Sequence, residues 1–376
     1  MNDPGTNAPP GGDAPSLSCH PLEVRPNCWM VGRRNSASLL QCNTYLRTFD
    51  EGPTPLRLCL DPGSRVDFPY VEHNLRMLIG DLSQVGAFTL NHQDPDVVGN
   101  APYLCLANPR VDLIVTEEVW RLVQHLDFHP GHVQFANPRQ SSWVKTAGRG
   151  QLQLVPTPFC HFRGAMAFYD PELRVLFTGD LLGGLNRLGS VHLFAEEDDW
   201  TGIAQFHQIY MPTRDVLRYA IAQIRALRPA VEVIAPQHGH VIVGDCVPAF
   251  LERMHELLVG HDLLATELDD SYLPGYQEVF AELAAWAADT MSPSHVRERL
   301  TNPELDDGLE ELVQDDGRQV TLRREGYAAL AKAFARLTQD EPFSFANAMR
   351  SHILELCTQR GLPVPTIGVG LEEGGG

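Results

Sequence analysis

A cluster of side chains that can bind metal follows the apolar run GAFTLN, which ends at Asn91. His92, Asp94 and Asp96 are spaced by two residues, and Pro95 stiffens the turn between the two aspartates. A single His or Asp at such a position commonly serves as a turn or capping residue. Three ligand-type side chains in one short turn can surround a small volume, so the spacing indicates a metal site.

Three further candidate ligands also stand just after apolar runs. His161 follows QLQLVPTPFC, Asp180 follows RVLFTG, and His238 follows VEVIAPQ. In layered α/β folds the carboxyl ends of strands meet at one edge, where loops converge to form a site. Carboxylates crowded at that edge repel one another unless a cation lies between them. Together with the first cluster, these residues predict a site for two metal ions.

The types of ligand favour iron over zinc. The predicted set contains three imidazoles and three carboxylates, whereas structural zinc prefers a closed site rich in Cys and His, and catalytic zinc commonly takes three His or two His and a carboxylate. A carboxylate-rich mixture with open positions suits iron or manganese. Asp180, alone on its strand end, is the natural bridge between the ions through its two oxygens. Zinc and manganese stay open as alternatives.

The cysteines do not add an obvious ligand motif. Eight of them stand at positions 19, 28, 42, 59, 105, 160, 246 and 357. None forms a Cys-x-x-Cys pair, so neither a rubredoxin-type iron centre nor a zinc ribbon is predicted. Scattered cysteines in a cytosolic chain of this size are usually small buried hydrophobes, and we expect that role for each of them.

The elements that must position the site belong to an α/β unit. Its strand candidates are NCWMVG, LRLCLD, GAFTLN, VDLIVT, QLQLVP, RVLFTGD and VEVIAP, and helices are expected over Glu117–Asp127 and Val216–Leu227. We predict a disordered leader over residues 1–18, the α/β domain over 19–250, a helical region over 251–365 and a disordered tail over 366–376. Within the helical region, a hairpin is expected around Asp316–Gly317.

Composition excludes several classes of partner. The 376 residues are 43% hydrophobic and 20% charged, as in an ordinary globular protein. No apolar run approaches the roughly 20 residues that cross a bilayer, and the N-terminus does not resemble a secretory signal. The formal net charge of −19 repels phosphate backbones and anionic lipid. We therefore expect a cytoplasmic protein that binds neither nucleic acid nor membrane.

The motifs resemble those of the metallo-β-lactamase superfamily, and within it the oxygen-binding di-iron proteins and the di-iron domain of flavodiiron proteins. The segments that carry the resemblance run from roughly Val24 to Val243 and include LNHQDPDVVG, PTPFCHFRGAMAFYDPELRVLFTGDLLGG and APQHG. The hydrolases of the superfamily place a His where Asp94 stands. The resemblance implies an αββα sandwich with two sheets in the middle and helices outside.

The resemblance also implies a division of the ligands. One iron takes His92, Asp94 and His161, the other takes Asp96 and His238, and Asp180 bridges the pair. Two features depart from the family pattern. Val97 replaces the final His of the motif and removes a possible ligand of the second metal, and no FMN-binding flavodoxin domain is recognisable, so electrons would come from a separate donor protein or an adjacent subunit. The resemblance further implies a homodimer.

Three functions compete at this stage. The first is a di-iron centre that binds O2 or NO, as a sensor or as a reductase, with Tyr169 as a candidate proton donor. The second is a dinuclear metal-dependent hydrolase, in which the metals activate a bridging water. The third is a scaffold that retains metal for stability and binds a partner through residues 251–365. Asp94 and Val97 count against the hydrolase, because each replaces a His of the hydrolase motif.

Overall fold

The computed structural model describes residues 17–18, 20–36, 38–50, 55–145, 151–187, 189–263, 270–305, 307–365 and 367. Most of the predicted leader lies outside these residues, but Leu17–Ser18 forms a short strand, β1, paired with β4 at Arg34–Asn35. Most of the predicted tail also lies outside them, but Ile367 is buried in a hydrophobic cluster. At these positions the predicted disorder is wrong, because backbone pairing and apolar contacts hold the chain.

Seven strands form the first sheet, in the order β2-β3-β5-β6-β7-β8-β9. They are β2 (Leu22–Arg25), β3 (Cys28–Met30), β5 (Tyr45–Phe49), β6 (Leu56–Leu60), β7 (Ala87–Thr89), β8 (Asp112–Val115) and β9 (His132–Phe135). The last four run parallel. Their connections contain α1 (Phe68–Ile79), α2 (Pro95–Val98), α3 (Ala101–Ala107) and α4 (Glu117–Val123). The carboxyl ends of these strands therefore meet at one edge.

Six strands form the second sheet, in the order β10-β11-β12-β13-β14-β15. They are β10 (Trp143–Lys145), β11 (Gln151–Pro156), β12 (Met166–Asp170), β13 (Val175–Gly179), β14 (Val233–Pro236) and β15 (Ile242–Val243). Between the parallel pair β13 and β14 lie α5 (Trp200–Tyr210) and α6 (Arg214–Ala226), and α7 (Cys246–Glu256) follows β15.

Three hydrophobic clusters hold the sheets and helices in four layers. The cluster between the sheets joins Leu58 of the first sheet to Phe168 of the second. A second cluster packs α1, α3 and α4 on the outer face of the first sheet, and a third packs α5, α6 and α7 on the outer face of the second. The predicted αββα sandwich is confirmed, and each of the seven predicted strand segments contains an observed strand.

The C-terminal residues form a separate hydrophobic cluster that extends from Tyr276 to Ile367. Its elements are α8 (Leu273–Met291), α9 (Pro293–Thr301), β16 (Val313–Asp315), β17 (Val320–Leu322), α10 (Gly326–Thr338) and α11 (Phe343–Gln359). The hairpin β16–β17 turns at Asp316–Gly317, as predicted. Among the helices that the structure describes, none combines the length and the apolarity that a bilayer span requires.

Hydrophobic contacts indicate that the first domain extends beyond residue 250. Helix α7 continues past residue 250, and Phe250, Leu251, Met254 and Val259 all pack in the cluster that covers the second sheet. A boundary after residue 250 would cut this helix and expose its buried face. We therefore propose that the boundary lies between residues 263 and 270.

Candidate dinuclear metal centre

The six predicted ligands come together at the edge where the carboxyl ends of β7, β13 and β14 meet. His92 lies three residues after β7, Asp94 is the N-cap of α2, and Asp96 lies in the first turn of that helix. Asp180 directly follows the end of β13, and His238 lies two residues after β14. His161 comes from the connection between β11 and β12. The strand ends thus bring residues that are distant in the sequence into one volume.

The first group of ligand atoms belongs to His92, Asp94, His161 and Asp180, and these atoms lie within 4.8 Å of one another. Nε2 of His161 is 3.1 Å from Oδ2 of Asp94 and 3.2 Å from Oδ2 of Asp180. Nε2 of His92 is 3.7 and 3.6 Å from the same two oxygens. Two imidazoles and two carboxylates that converge in this way can hold one metal ion.

The second group consists of Cys42, Asp96 and His238, whose ligand atoms also lie within 4.8 Å of one another. Nε2 of His238 is 3.3 Å from Oδ2 of Asp96 and 3.4 Å from Oδ1 of Asp180. Asp180 therefore directs Oδ2 toward the first group and Oδ1 toward the second. This arrangement fits the predicted role of Asp180 as a bridge between two ions.

Two buried polar atoms in the centre, Nε2 of His92 and Oδ1 of Asp180, have no hydrogen-bond partner among the residues that the structure describes. Their side chains are 0% and 4% exposed, so bulk water does not compensate for the missing contacts. An unpaired buried polar atom is costly. A cation in the first group would satisfy Nε2 of His92, and a cation in the second would satisfy Oδ1 of Asp180, so the donor set fits a pair of metal ions.

Without a cation, the imidazoles of His161 and His238 carry positive charge that balances the carboxylates. Hydrogen bonds with Asp180 and Asp94 raise the pKa of His161 to about 10. Burial lowers the pKa of His238, but the carboxylates of Asp180 and Asp96, whose nearest oxygens lie 3.4 and 3.3 Å from its Nε2, outweigh burial and hold that pKa well above its ordinary value. Metal ions replace these protons when they bind, because a ligating imidazole must be neutral on the ligating nitrogen.

Hydrogen bonds on the far side of two imidazole rings orient them toward the centre. Nδ1 of His238 donates to the carbonyl oxygen of Gln41 at 2.9 Å, and Nδ1 of His92 lies 3.1 Å from Oδ1 of Asn91. With these contacts made, Nε2 of His92 points toward the first group of ligands and Nε2 of His238 points toward the second. Outer hydrogen bonds of this kind fix the tautomer and the orientation of a ligating His.

The structure does not support Tyr169 as a proton donor for the centre. Tyr169 is fully buried on β12, and its hydroxyl donates to the carbonyl oxygen of Pro229 at 2.7 Å. It pairs with Leu176, near the start of β13, whereas Asp180 follows the other end of that strand. The expectation for Tyr169 is corrected, because nearness in sequence to His161 does not become nearness in space.

A different tyrosine, Tyr210, lies beside the centre and was not predicted. It is the last residue of α5, and its ring centroid is 6.1 Å from that of His161. Burial raises the pKa of its hydroxyl, and the carboxylates of the centre raise it further. Only the packing of α5 over the strand ends brings Tyr210 to this place, and no motif in the sequence signals it.

A third group of ligand-type side chains, His192, Asp199 and His240, lies apart from the centre. Within it, Nε2 of His192 is 3.2 Å from Asp199 and Nε of Arg187 donates to Asp199 at 3.0 Å. The Ser190 hydroxyl lies 2.8 Å from Nε2 of His240. Because Arg187 already supplies a positive charge, this group forms a satisfied hydrogen-bond network.

The model of the family described as ODP family beta lactamase matches residues 40–239. This range is more than half of the 376 residues and contains all six predicted ligands. The chain belongs to this family. The ODP-family range also contains Cys42 and Tyr210, the two residues that the structure adds to the centre.

Solved structures resemble the ODP-family domain at low sequence identity. The peroxy diiron species of the chemotaxis sensor ODP has a TM-score of 0.53 and 23% identity, and the match covers 65% of this chain and 97% of that chain. Rubredoxin oxygen:oxidoreductase from Desulfovibrio gigas has a TM-score of 0.55 and 14% identity, with 70% and 69% covered. A flavoprotein from Thermotoga maritima has a TM-score of 0.55 and 15% identity, with 65% and 61% covered. These likenesses show the fold, and no curated protein matches the sequence.

Proposed function

We propose that the chain holds two iron ions at this centre and binds O2, or alternatively NO, between them. The observation that carries the proposal is the position of Asp180, which directs one oxygen toward each group of ligands. His92, Asp94 and His161 hold one ion, and Asp96 and His238 hold the other. Membership of the ODP family supports the proposal, as does the similarity to a diiron chemotaxis sensor.

In this proposal, side chains around the ligands shield the centre from water and donate a proton to it. Two ferrous ions, if held by these residues, would supply the electrons and the open coordination positions that a diatomic gas requires. The buried ring of Phe206 lies 5.2 Å from that of His238 and shields this imidazole from water. We propose Tyr210 in place of Tyr169 as the proton donor, because its hydroxyl is neutral at physiological pH and its ring lies 6.1 Å from that of His161.

Two modes of action follow from the same centre. As a reductase, the chain takes electrons from a separate donor protein or an adjacent subunit, because the described part of residues 270–365 forms helices with one hairpin. As a sensor, it passes the state of the centre to this C-terminal region, whose helix α11 contacts α5. We propose that the chain works as a homodimer in the cytoplasm, where the free thiols of its seven described cysteines stay reduced.

Anaerobic reconstitution with ferrous iron tests the proposed function. We expect two irons per chain and a new charge-transfer absorption when O2 is added. Reconstitution under NO would show whether the second gas binds as well. Two tightly bound zinc ions, no optical change with O2 and hydrolysis of an ester or phosphodiester would support the hydrolase instead and overturn the proposal.

A further inference from the structure

The two metal positions differ in the number of ligands that the predicted set provides. The first position has His92, Asp94 and His161 in addition to the bridging Asp180, whereas the second has only Asp96 and His238. Val97, which follows Asp96, is 0% exposed and packs in the apolar cluster that covers the first sheet. An apolar side chain in that cluster cannot supply the missing ligand.

The Cys42 thiol lies beside the other two ligand-type side chains of the second position. Its Sγ lies 3.8 Å from Oδ2 of Asp96, and its ligand atom is within 4.8 Å of those of both Asp96 and His238. A hydrogen bond between the thiol and a carboxylate would produce one such contact. The thiol also contacts the imidazole of His238, so it faces both side chains that would hold the second ion.

The backbone fixes this arrangement. Cys42 and His238 form an isolated antiparallel bridge, and the flanking residues extend it. The carbonyl of Gln41 accepts a hydrogen bond from Nδ1 of His238 at 2.9 Å, and the backbone N–H of Asn43 donates to the carbonyl of Gln237 at 2.5 Å. The thiol is therefore held near the imidazole of His238 by a main-chain hydrogen bond on one side and a carbonyl–imidazole hydrogen bond on the other.

The distances match those around one tetrahedral ion. Metal–sulfur bonds of about 2.3 Å and metal–nitrogen or metal–oxygen bonds of about 2.1 Å place ligand atoms about 3.4 to 3.6 Å apart. The observed separations are 3.3 Å from His238 Nε2 to Asp96 Oδ2 and 3.8 Å from Cys42 Sγ to that oxygen. Independently, Oδ1 of the buried Asp180 points at this position without a hydrogen-bond partner.

We propose that the thiolate of Cys42 is a third protein ligand of the second metal, in addition to Asp96, His238 and the bridging Asp180. This inference rests on the proposed function, because it assigns a ligand within the same centre. When the metal binds, the S–H bond breaks, a metal–sulfur bond forms and the proton leaves to solvent. The second position is then softer than the first, since thiolate favours softer metals than carboxylate does.

Anaerobic titration with Co²⁺ tests the proposal, because thiolate-bound cobalt has a charge-transfer absorption in the near ultraviolet. We expect the wild-type chain to bind two equivalents and to show this absorption with one of them. Cys42→Ser should abolish the absorption and lower the affinity for that equivalent of cobalt. The loss should exceed the roughly 10- to 100-fold that follows when a residue that only hydrogen-bonds to a ligand is removed. The other equivalent should bind as before.

Cys160→Ala is the matched control, because Cys160 adjoins His161 but is fully buried in the cluster that covers the second sheet. It should retain both equivalents and the absorption. X-ray absorption of the wild-type cobalt protein should show one sulfur at about 2.3 Å, a result that does not depend on how any variant folds.

The outcomes separate this inference from the proposed function. Two bound equivalents with no thiolate absorption and no sulfur neighbour would overturn the role of Cys42 and leave the dinuclear centre intact. An absorption that persists in Cys42→Ser would also overturn that role. A wild-type chain that binds fewer than two equivalents would overturn the proposed function and the inference with it.

Discussion

The carboxylate of Asp180 lies between the two groups of ligands, with Oδ2 3.2 Å from His161 and Oδ1 3.4 Å from His238. If it bridges, Asp180→Asn removes the charge that both ions share, and we expect both metals to be lost together. Metal content per chain after anaerobic reconstitution checks this result. Loss of one ion alone would contradict the bridge. Asp127→Ala, at a side chain 98% exposed, is the control and should bind both ions.

His207 on α5 hydrogen-bonds to the backbone just after β13, and its titration makes the free energy of unfolding depend on pH. Burial lowers its pKa from 6.5 to about 4, and its Nε2 accepts a hydrogen bond from the backbone N–H of Leu182 at 2.9 Å. Between these pKa values the unfolded chain binds a proton that the folded chain does not. The free energy of unfolding therefore falls as the pH falls from 6.5 to 4, by about 1.4 kcal/mol per pH unit from this group.

His207→Gln removes this proton uptake. We therefore expect the free energy of unfolding of the variant to fall by about 2 kcal/mol less than that of the wild type between pH 6.5 and pH 5. Urea denaturation of the metal-free chains at both pH values measures the difference. His261→Gln, at an exposed position, should behave like the wild type. Equal pH slopes in the wild type and His207→Gln would show that His207 is not the group responsible.

The sequence predicts a candidate ligand well where it directly follows a strand. His92, Asp180 and His238 all stand just after apolar runs, and the edge of a sheet is a place that a local pattern can define. Cys42 and Tyr210 have no such signal. Cys42 reaches the centre through a bridge to His238, and Tyr210 reaches it through the packing of α5, so both depend on contacts that form only in the folded chain.

At the scale of the elements, Gly179 at the end of β13 lies close to Asn91, which orients the ligand His92. This glycine has a φ of +61°, and a Cβ built on it would lie 2.0 Å from Oδ1 of Asn91, the atom that orients His92. We expect Gly179→Ala to displace Asn91 and to weaken metal binding by roughly 10- to 100-fold. Metal affinity measured by competition with a chelator checks this expectation.

Gly80→Ala is the matched control, because Gly80 has a φ of +82° but nothing lies within 4 Å of the added Cβ. It carries the same kind of backbone strain and should keep the wild-type affinity. Asn91→Ala should reproduce the loss of affinity without a clash. If the two glycine variants bind metal equally well, the contact with Asn91 does not matter for the centre.

Two of the strands that sequence patterns did not predict, β5 and β12, share a physical cause. β5 contains Arg47 and β12 ends at Asp170, and charged residues lower the apolar character of both segments. In the fold, Nε of Arg47 lies 2.7 Å from Oδ2 of Asp170, and both side chains are buried. The ion pair joins the two sheets, so each charge is compatible with a buried strand only when the other sheet is present.

At the scale of the whole molecule, the sandwich and the C-terminal region have separate hydrophobic clusters. The clusters of the sandwich contain buried residues from Val24 to Val259, and that of the C-terminal region starts at Tyr276. The change of composition after Leu251 predicted two regions, but it could not locate the boundary, because α7 has a helical composition and packs with the sandwich.

A chain that ends at residue 266 tests the independence of the sandwich. Because its hydrophobic clusters share no residue with the C-terminal cluster, we expect the shortened chain to fold and to bind two metals per chain. Circular dichroism and metal content measure both properties. A chain cut after residue 250 is the comparison, and it should be much less stable because it lacks Met254 and Val259. Loss of metal from the longer fragment would show that the C-terminal region completes the sandwich.

The bridge between Cys42 and His238 also fixes the order in which the protein matures. The carbonyl of Gln41 and the imidazole that donates to it are 197 residues apart, so this contact forms only after the whole chain between them has been synthesised. His92, Asp94 and Asp96 leave the ribosome long before their partners do. Metal insertion is therefore a closing step of maturation, and a nascent chain shorter than 238 residues has no complete centre to fill.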